Sequence, residues 1–362
     1  MHRPVVGITL LEHELTELRL LIERQTGILL DCANSTLAAH VADYLERHEM
    51  DAPAALLQQF RAPELDAATA AGFLEGVLNV NTGFYRHPGA MNALARQVLP
   101  QISARKSDDG ACTLRIWSAG CSTGEEPYSI AMALCESLSS AEATAAANGS
   151  SNGSGGGKET KSSGRSGGVS DQGVGSSALA STTKEWSIHI VGTDLLPSSI
   201  QAAERGIYPQ SALTGLPPAM IRAGFSKAGA AGGHNGTGSN GAASVQGNGA
   251  TNGANGKANG STQLAVKPRL RSMVTFNTMN LTKPVYIGRF DCIFCMDVLP
   301  HLSRSQRGAL IERLHLYLEP GGCLFLSQTE KLFAPNLNFR SETFDGYTYH
   351  RKPVAASGAY GR

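Results

Sequence analysis

Short apolar runs alternating with helical periods place this chain of 362 residues in the α/β class, as a doubly wound domain with a small all-α domain in front of it. Three observations lead there. Residues 10–70 repeat apolar positions at helical spacing with no strand-like alternation. Residues 73–147 hold a strand, a glycine-rich turn and a helix in succession. From residue 186 onward, buried strand-like runs alternate with helical patterns.

In the first stretch Leu18, Leu21 and Ile22, then Leu37, Val41 and Leu45, then Leu56, Leu57 and Phe60 mark the helices, with Pro53 and Pro63 as breaks. A helical domain over residues 1–75 and an α/β domain over residues 76–362 are expected. Arg115 to Ala119 reads as the first strand of the sheet, Gly120-Cys121-Ser122-Thr123-Gly124 as its turn, and Glu125-Glu126-Pro127 as the opening of a helix. Pro127 suits a first helical turn, where its missing N–H costs nothing. Trp186 to Asp194 is a buried strand ending in an acid, and VTFNTMNL, FDCIFC and GGCLFLS continue the pattern. Ser303 with Gln306 reads as a capping box for a helix bearing Leu310, Ile311, Leu314 and Leu318 on one face. Cys292 and Cys295 have metal-like spacing, but within a strand that spacing points two thiols to opposite sides, which makes both core residues.

Two segments break the pattern. Residues 148–183 carry ten Gly and ten Ser, and residues 228–262 carry eleven Gly, eight Ala and six Asn, with no aromatic residue in either. They cannot bury enough apolar surface to offset their ordering entropy, and both read as flexible inserts that lengthen surface loops. The rest, within a chain that is 41% hydrophobic, can fill a core. The net charge of +1 gives no global pull toward nucleic acid or an anionic membrane, although residues 1–70 are acidic and residues 263–362 basic. No run approaches the roughly 18 apolar residues of a membrane span, and no signal-peptide core is present. Seven scattered cysteines fit reduced thiols, so a cytoplasmic protein with no metal site is expected.

A glycine-rich turn between strand and helix lets a ligand approach the backbone at the carboxyl edge of the sheet. Phosphate needs the helix amides free, yet here two glutamates stand at that end and there is no Gly-Lys-Ser/Thr. The ammonium and sulfonium of S-adenosylmethionine are favoured instead. A plain tight turn with an acidic cap is the alternative. Asp194 lies further on than the ~20 residues of a compact dinucleotide unit and reads as a ribose acceptor, or else as a helix cap before Pro197.

The strings IWSAGCSTGEEPYSIAMAL, GTDLLPSSIQAAERGIY, LTGLPP, FDCIFC and LEPGGCLFLSQTEKL, in this order, resemble the CheR family of chemotaxis receptor methyltransferases. The resemblance implies a helical N-terminal domain, an S-adenosylmethionine-binding α/β domain and a small β-subdomain before the Asn-Leu motif. It implies O-methylation of glutamate side chains on the cytoplasmic helical bundle of a chemoreceptor, performed by a monomer. Carried over residue by residue, it makes Thr82, Arg86, Gly120, Glu126, Asp194, Asn280, Leu281, Met296 and Asp297 cofactor-binding, and Arg86 and His301 catalytic. Three positions depart from the motif: Met296 and Asp297 stand where it has Arg-Asn, and His301 where it has Tyr. Val80 also replaces an Asn, with Asn79 and Asn81 beside it. These departures sustain a second reading, a CheR-like module that binds cofactor and docks but is attenuated or inactive; a small-molecule methyltransferase is a third. Phe344 to Arg351 resembles the closing strand, and the run Lys267, Arg269 and Arg271 offers a basic edge for an acidic receptor.

Overall fold

The computed structural model describes residues 11–354, apart from residues 64, 79–81, 107–111, 150–185, 229–261, 284, 286 and 333. Both low-complexity inserts, except at their margins, and the departure at Val80 lie outside the described residues.

Four helices come first: α1 (Glu12–Thr26), α2 (Asn34–Arg47), α3 (Pro53–Arg61) and α4 (Ala67–Leu74). Their ends are written locally. Glu14 accepts from the Leu11 N–H at 2.9 Å, Pro53 opens α3, and Asp66 caps α4 by accepting from the Thr69 N–H at 2.9 Å. Leu18, Ile22, Leu37, Val41, Leu45, Phe60 and Phe73 are fully buried between them. After these come α5 (Pro88–Ala93) and α6 (Leu99–Lys106), joined through a π-helical turn at Leu94–Val98.

The α/β unit then runs β1 (Cys112–Ala119), α7 (Glu125–Gly149), β2 (Trp186–Asp194), α8 (Pro197–Arg205), β3 (Ile207–Pro209), α9 (Pro218–Gly224), β4 (Phe225–Lys227), β5 (Gln263–Val266), α10 (Pro268–Arg271), β6 (Val274–Thr278), β7 (Phe290–Phe294), α11 (Arg304–Tyr317), β8 (Leu318–Phe325), β9 (Arg340–Phe344) and β10 (Tyr347–Arg351). Seven strands form one sheet in the order β6-β2-β1-β7-β8-β10-β9. The first five are parallel, and β10 runs antiparallel to both its neighbours. This is the expected doubly wound α/β architecture. Chain growth runs outward from β1 through β2 to β6, then returns to β7 on the other side, so the order reverses between β1 and β7 and opens a crevice at their carboxyl ends. A separate antiparallel sheet, β3-β5-β4, sits between α8 and β6.

Alternation along β1 divides the core. Leu114 and Ile116 face the layer of α5, α6 and α7, while Trp117 faces α11 and the N-terminal helices. The apolar core of α1, α2 and α3 thereby continues without a break onto one face of the sheet. Cys292 lies on the α7 side and Cys295 on the other, both buried, and all seven cysteines are free thiols. No helix among the described residues is long and apolar enough to cross a membrane.

Two local expectations are corrected. Phe344 to Arg351 is not one strand: Asp345 and Gly346, at φ 48° and 77°, form the two-residue turn of the β9–β10 hairpin, the backbone that an Asp-Gly pair tolerates best. Leu318 is the first residue of β8, not the last of α11. Lys267 and Arg271 donate to the Arg222 and Glu204 carbonyls, so two of the three basic residues brace the small sheet and its flanking helices.

The helical domain is stapled to the α/β unit just past α1. Asn280 and Thr282 both donate to the Thr26 carbonyl, at 3.1 and 2.8 Å, and the Leu29 N–H donates to the His301 carbonyl at 2.8 Å. Gly27, at φ 76°, turns the chain between them, and a Cβ there would sit 2.4 Å from Thr282 Cγ2. Gly27→Ala is therefore expected to cost roughly 1–3 kcal/mol through left-handed strain and collision. Thermal unfolding of the two proteins checks this, and an unchanged midpoint would refute the staple.

Candidate functional site

At the carboxyl end of β1 the chain needs three consecutive tight features to turn into α7. Gly120 and Gly124 take φ of 83° and 95°, and Ser122 takes 51°. A Cβ at Gly120 would lie 2.5 Å from Val298 Cγ2, so the turn is pressed against the segment after β7. The N–H groups of Gly120 and Cys121 both reach the Thr193 carbonyl, at 2.8 and 2.9 Å, and the Ser122 N–H donates to Asp194 Oδ2 at 2.8 Å. The other oxygen of Asp194 accepts from the Leu196 N–H at 3.0 Å. Asp194 thus ties the glycine turn to the start of α8 by an Asx-type turn, not by capping the helix itself. Each oxygen retains a further lone pair.

Glu125 and Glu126 begin α7, where the helix dipole favours negative charge. Glu125 is buried and accepts from the Thr123 hydroxyl at 2.7 Å, with Thr82 as a further donor. Glu126 turns toward the crevice and accepts from the Ser118 hydroxyl at 2.6 Å. Burial raises both carboxyls. For Glu126 the Ser118 hydrogen bond opposes the rise, but the nearby Asp297 and Glu330 add to it, and the group is pushed from 4.5 to about 7. Asp194 is raised by burial too, against the pull of its backbone donors.

Opposite stands Asp297, in a left-handed backbone conformation at φ 59°. Its Oδ2 is 2.8 Å from His87 Nε2 and 3.3 Å from Arg86 Nη2. Glu330 pins the surrounding turns by accepting from the N–H groups of Asp297, Leu299 and Ser327 at 3.1, 2.9 and 2.9 Å. His301 closes a short 3₁₀ turn, with its side chain exposed at the rim.

All ten residues singled out from the sequence, Thr82, Arg86, Gly120, Glu126, Asp194, Asn280, Leu281, Met296, Asp297 and His301, line one cleft of about 1060 Å³ that opens to solvent. The Asn280 carboxamide is largely used within the protein: it donates to the Thr26 carbonyl and accepts from the Thr282 N–H at 2.9 Å. Sequence reasoning passed over His87, Ile28 and Glu330. His87 carried a usable signal, standing between Arg86 and Pro88 in the motif that was read. Ile28 and Glu330 had none, since one comes from the helical domain and the other acts through backbone amides.

The donor set fits S-adenosylmethionine. Carboxylates at Glu126 and Asp194 suit an ammonium and ribose hydroxyls, Leu196, Met279 and Leu281 offer an apolar wall for a ring, and no lysine lines the cleft among the described residues. The family model described as "CheR methyltransferase, SAM binding domain" matches residues 80–149 and 254–347.

The chain belongs to the CheR methyltransferase family.

Its relatives include chemotaxis protein methyltransferase 1 of Pseudomonas aeruginosa, 26% identical over 87% of this chain and 88% of that protein. The chemotaxis protein methyltransferase of Vibrio parahaemolyticus is 23% identical over 91% of this chain and 92% of that one. Among solved structures, magnesium protoporphyrin IX methyltransferase from Synechocystis with bound SAM is 14% identical and covers 80% of this chain and 96% of that one; its TM-score of 0.26 adds nothing to the fold drawn from the sheet itself. As a CheR methyltransferase the protein uses S-adenosylmethionine.

The raised carboxyl of Glu126 has a sign that can be checked. Between pH 4.5 and about 7 the folded protein holds a proton that the unfolded chain has released, so this group makes stability fall as pH rises through that window and level off above it. In urea unfolding of the unliganded protein, Glu126→Gln is expected to flatten the decline, gaining most over the parent above pH 7. Parallel stability–pH curves for the two proteins would refute the shift.

Proposed function

We propose that this CheR-family protein transfers the methyl group of S-adenosylmethionine to glutamate side chains on the cytoplasmic helices of a chemoreceptor, in chemotaxis or related signalling. The carrying observation is a guanidinium, Arg86, at the open side of a cleft whose inner wall is acidic. Inner carboxylates suit a cationic cofactor, and a cation at the mouth suits an anionic acceptor. The names of the relatives support the pathway, and in this reading the protein works in the cytoplasm, as a monomer.

When bound, S-adenosylmethionine supplies an activated methyl on a sulfonium. Thr82, Gly120, Glu126, Asp194, Asn280, Leu281, Met296 and Asp297 hold it in this reading: Glu126 faces the ammonium, Asp194 the ribose, and Asn280 and Leu281 border the adenine. A glutamate side chain has an ordinary pKa near 4.3, so the acceptor arrives ionised and needs no general base. Transfer of that methyl to an acceptor oxygen would leave the carbon–sulfur electron pair on sulfur, and no proton would have to move. The protein therefore works by position, which supplies up to about 7–11 kcal/mol in favourable cases. Arg86 grips the acceptor carboxylate by charge-assisted bonds, and His301 donates one hydrogen bond at the rim.

Radiolabelled methyl transfer to receptor cytoplasmic fragments tests the reading. Label released as methanol by mild alkali is the expected product, as for a carboxyl ester. Arg86→Ala should lower kcat/KM by about 10- to 100-fold, a loss of 1.5–3 kcal/mol for a charged hydrogen bond. Alkali-stable label, or no label on any receptor fragment, would refute the proposal.

Met296, Asp297 and His301 favour the second reading, an attenuated docking module, strongly enough to need its own test. His301→Tyr is expected to raise turnover with little change in the affinity for S-adenosylhomocysteine. Binding of that ligand with no transfer by either protein would decide for the docking module.

A further inference from the structure

Asp297 has two neighbours that share one of its oxygens, a guanidinium and an imidazole. His87 Nε2 approaches Oδ2 to 2.8 Å and Arg86 Nη2 to 3.3 Å, and the guanidinium is the more exposed of the two partners, at 38% against 21%. The carboxylate cannot follow either neighbour far, because the Asp297 N–H is bound to Glu330 at 3.1 Å and its backbone is held left-handed. Arg86 reaches Asp297 on a long, partly exposed side chain. A half-exposed pair at 3.3 Å is a weak one, and an incoming carboxylate that binds a guanidinium through two oxygens can replace it. Asp297 also adds a third acid beside Glu126 and Glu330 close to Arg86, which works against any second carboxylate entering the cleft.

We propose that Asp297 is a specificity-determining carboxylate that occupies Arg86 in place of the substrate, so that an acidic acceptor binds by displacing it, and that His87 is the positioning residue that keeps Asp297 paired once Arg86 is released. The proposal rests on the reading of Arg86 as the grip for the acceptor carboxylate. Asp297 sets the affinity for the acceptor, and His87 matters only because Asp297 is charged. Without His87, release of Arg86 leaves a carboxylate without a partner inside the cleft, and acceptor binding weakens. With asparagine at 297 there is no charge to hand over, and the loss of His87 becomes nearly silent. Asparagine keeps the shape of the side chain and tolerates the left-handed backbone, so this variant is expected to fold.

The test uses the full chain saturated with S-adenosylhomocysteine and a fluorescein-labelled, glutamate-rich helical peptide, with its glutamine counterpart as control, read by anisotropy. Asp297→Asn should bind the glutamate peptide roughly threefold to tenfold more tightly, the scale of a weak ion pair that no longer competes. His87→Ala should weaken binding several-fold in the parent and by less than about twofold in the Asp297→Asn background, a non-additivity that a merely structural histidine would not produce. Equal or weaker binding by Asp297→Asn overturns the proposal while leaving the acidic acceptor in place, and so does a His87→Ala effect of the same size in both backgrounds. If no form prefers the glutamate peptide over the glutamine one, the acidic-acceptor reading itself fails and this proposal falls with it.

Discussion

The reversal of strand order between β1 and β7 is the constraint on which the site depends. A parallel sheet forces each connection to cross over a face, and where crossovers leave in opposite directions the carboxyl ends of two neighbouring strands are left uncovered. Gly120 follows β1 into that gap, and Met296 and Asp297 follow β7; Asp194 ends β2, one strand further out. Because adjacent strands run in register, residues 72 positions apart come within hydrogen-bonding reach without any long-range design beyond the pairing itself. The bond from the Ser122 N–H to Asp194 is the clearest product of this arrangement.

A gap of this kind is open on one side, and the helical domain supplies the missing wall. Its core merges with the Trp117 face of the sheet, which would otherwise need another helix to cover it, and the link past α1 then delivers Ile28 and the Thr26 carbonyl to the cleft. Asn280 lies where this staple meets the segment after β6. Its carboxamide is mostly occupied in holding the two parts together, so its contribution to a ligand is one of shape as much as of hydrogen bonding. Stability and cofactor site are coupled here for a simple reason: the same few polar contacts serve both.

Electrostatics in the cleft are unbalanced. Glu126, Asp194, Asp297 and Glu330 lie near a single guanidinium, with burial already opposing ionisation of the first two. Such an arrangement is costly in the empty protein and is relieved by a ligand that brings positive charge, which is the character of S-adenosylmethionine. The same imbalance works against an anionic acceptor. Arg86 is therefore the residue on which both demands converge, and Asp297 is where this chain differs most consequentially from the motif that it resembles.

Much of this was legible in the residues alone, because it was local. Periodicity marked three of the four helices of the N-terminal domain, Pro53 and Pro63 marked breaks between them, and the alternation rule separated Cys292 from Cys295 onto opposite faces. The glycine turn with two acids behind it marked the cofactor end of the sheet, and the resembling strings named ten residues that share one cleft. Tertiary structure decided what depends on contacts between distant segments. The turn inside 344–351 escaped because an Asp-Gly pair is a hairpin only when two strands flank it, and the bracing by Lys267 and Arg271 escaped because carbonyls on α8 and α9 leave no mark on composition. The pairing of Asp297 with His87 and Arg86 spans about two hundred positions of chain. A sequence records the chemistry of each partner but not the folded backbone that brings them to 2.8 and 3.3 Å, and only that geometry turns three separate side chains into one site.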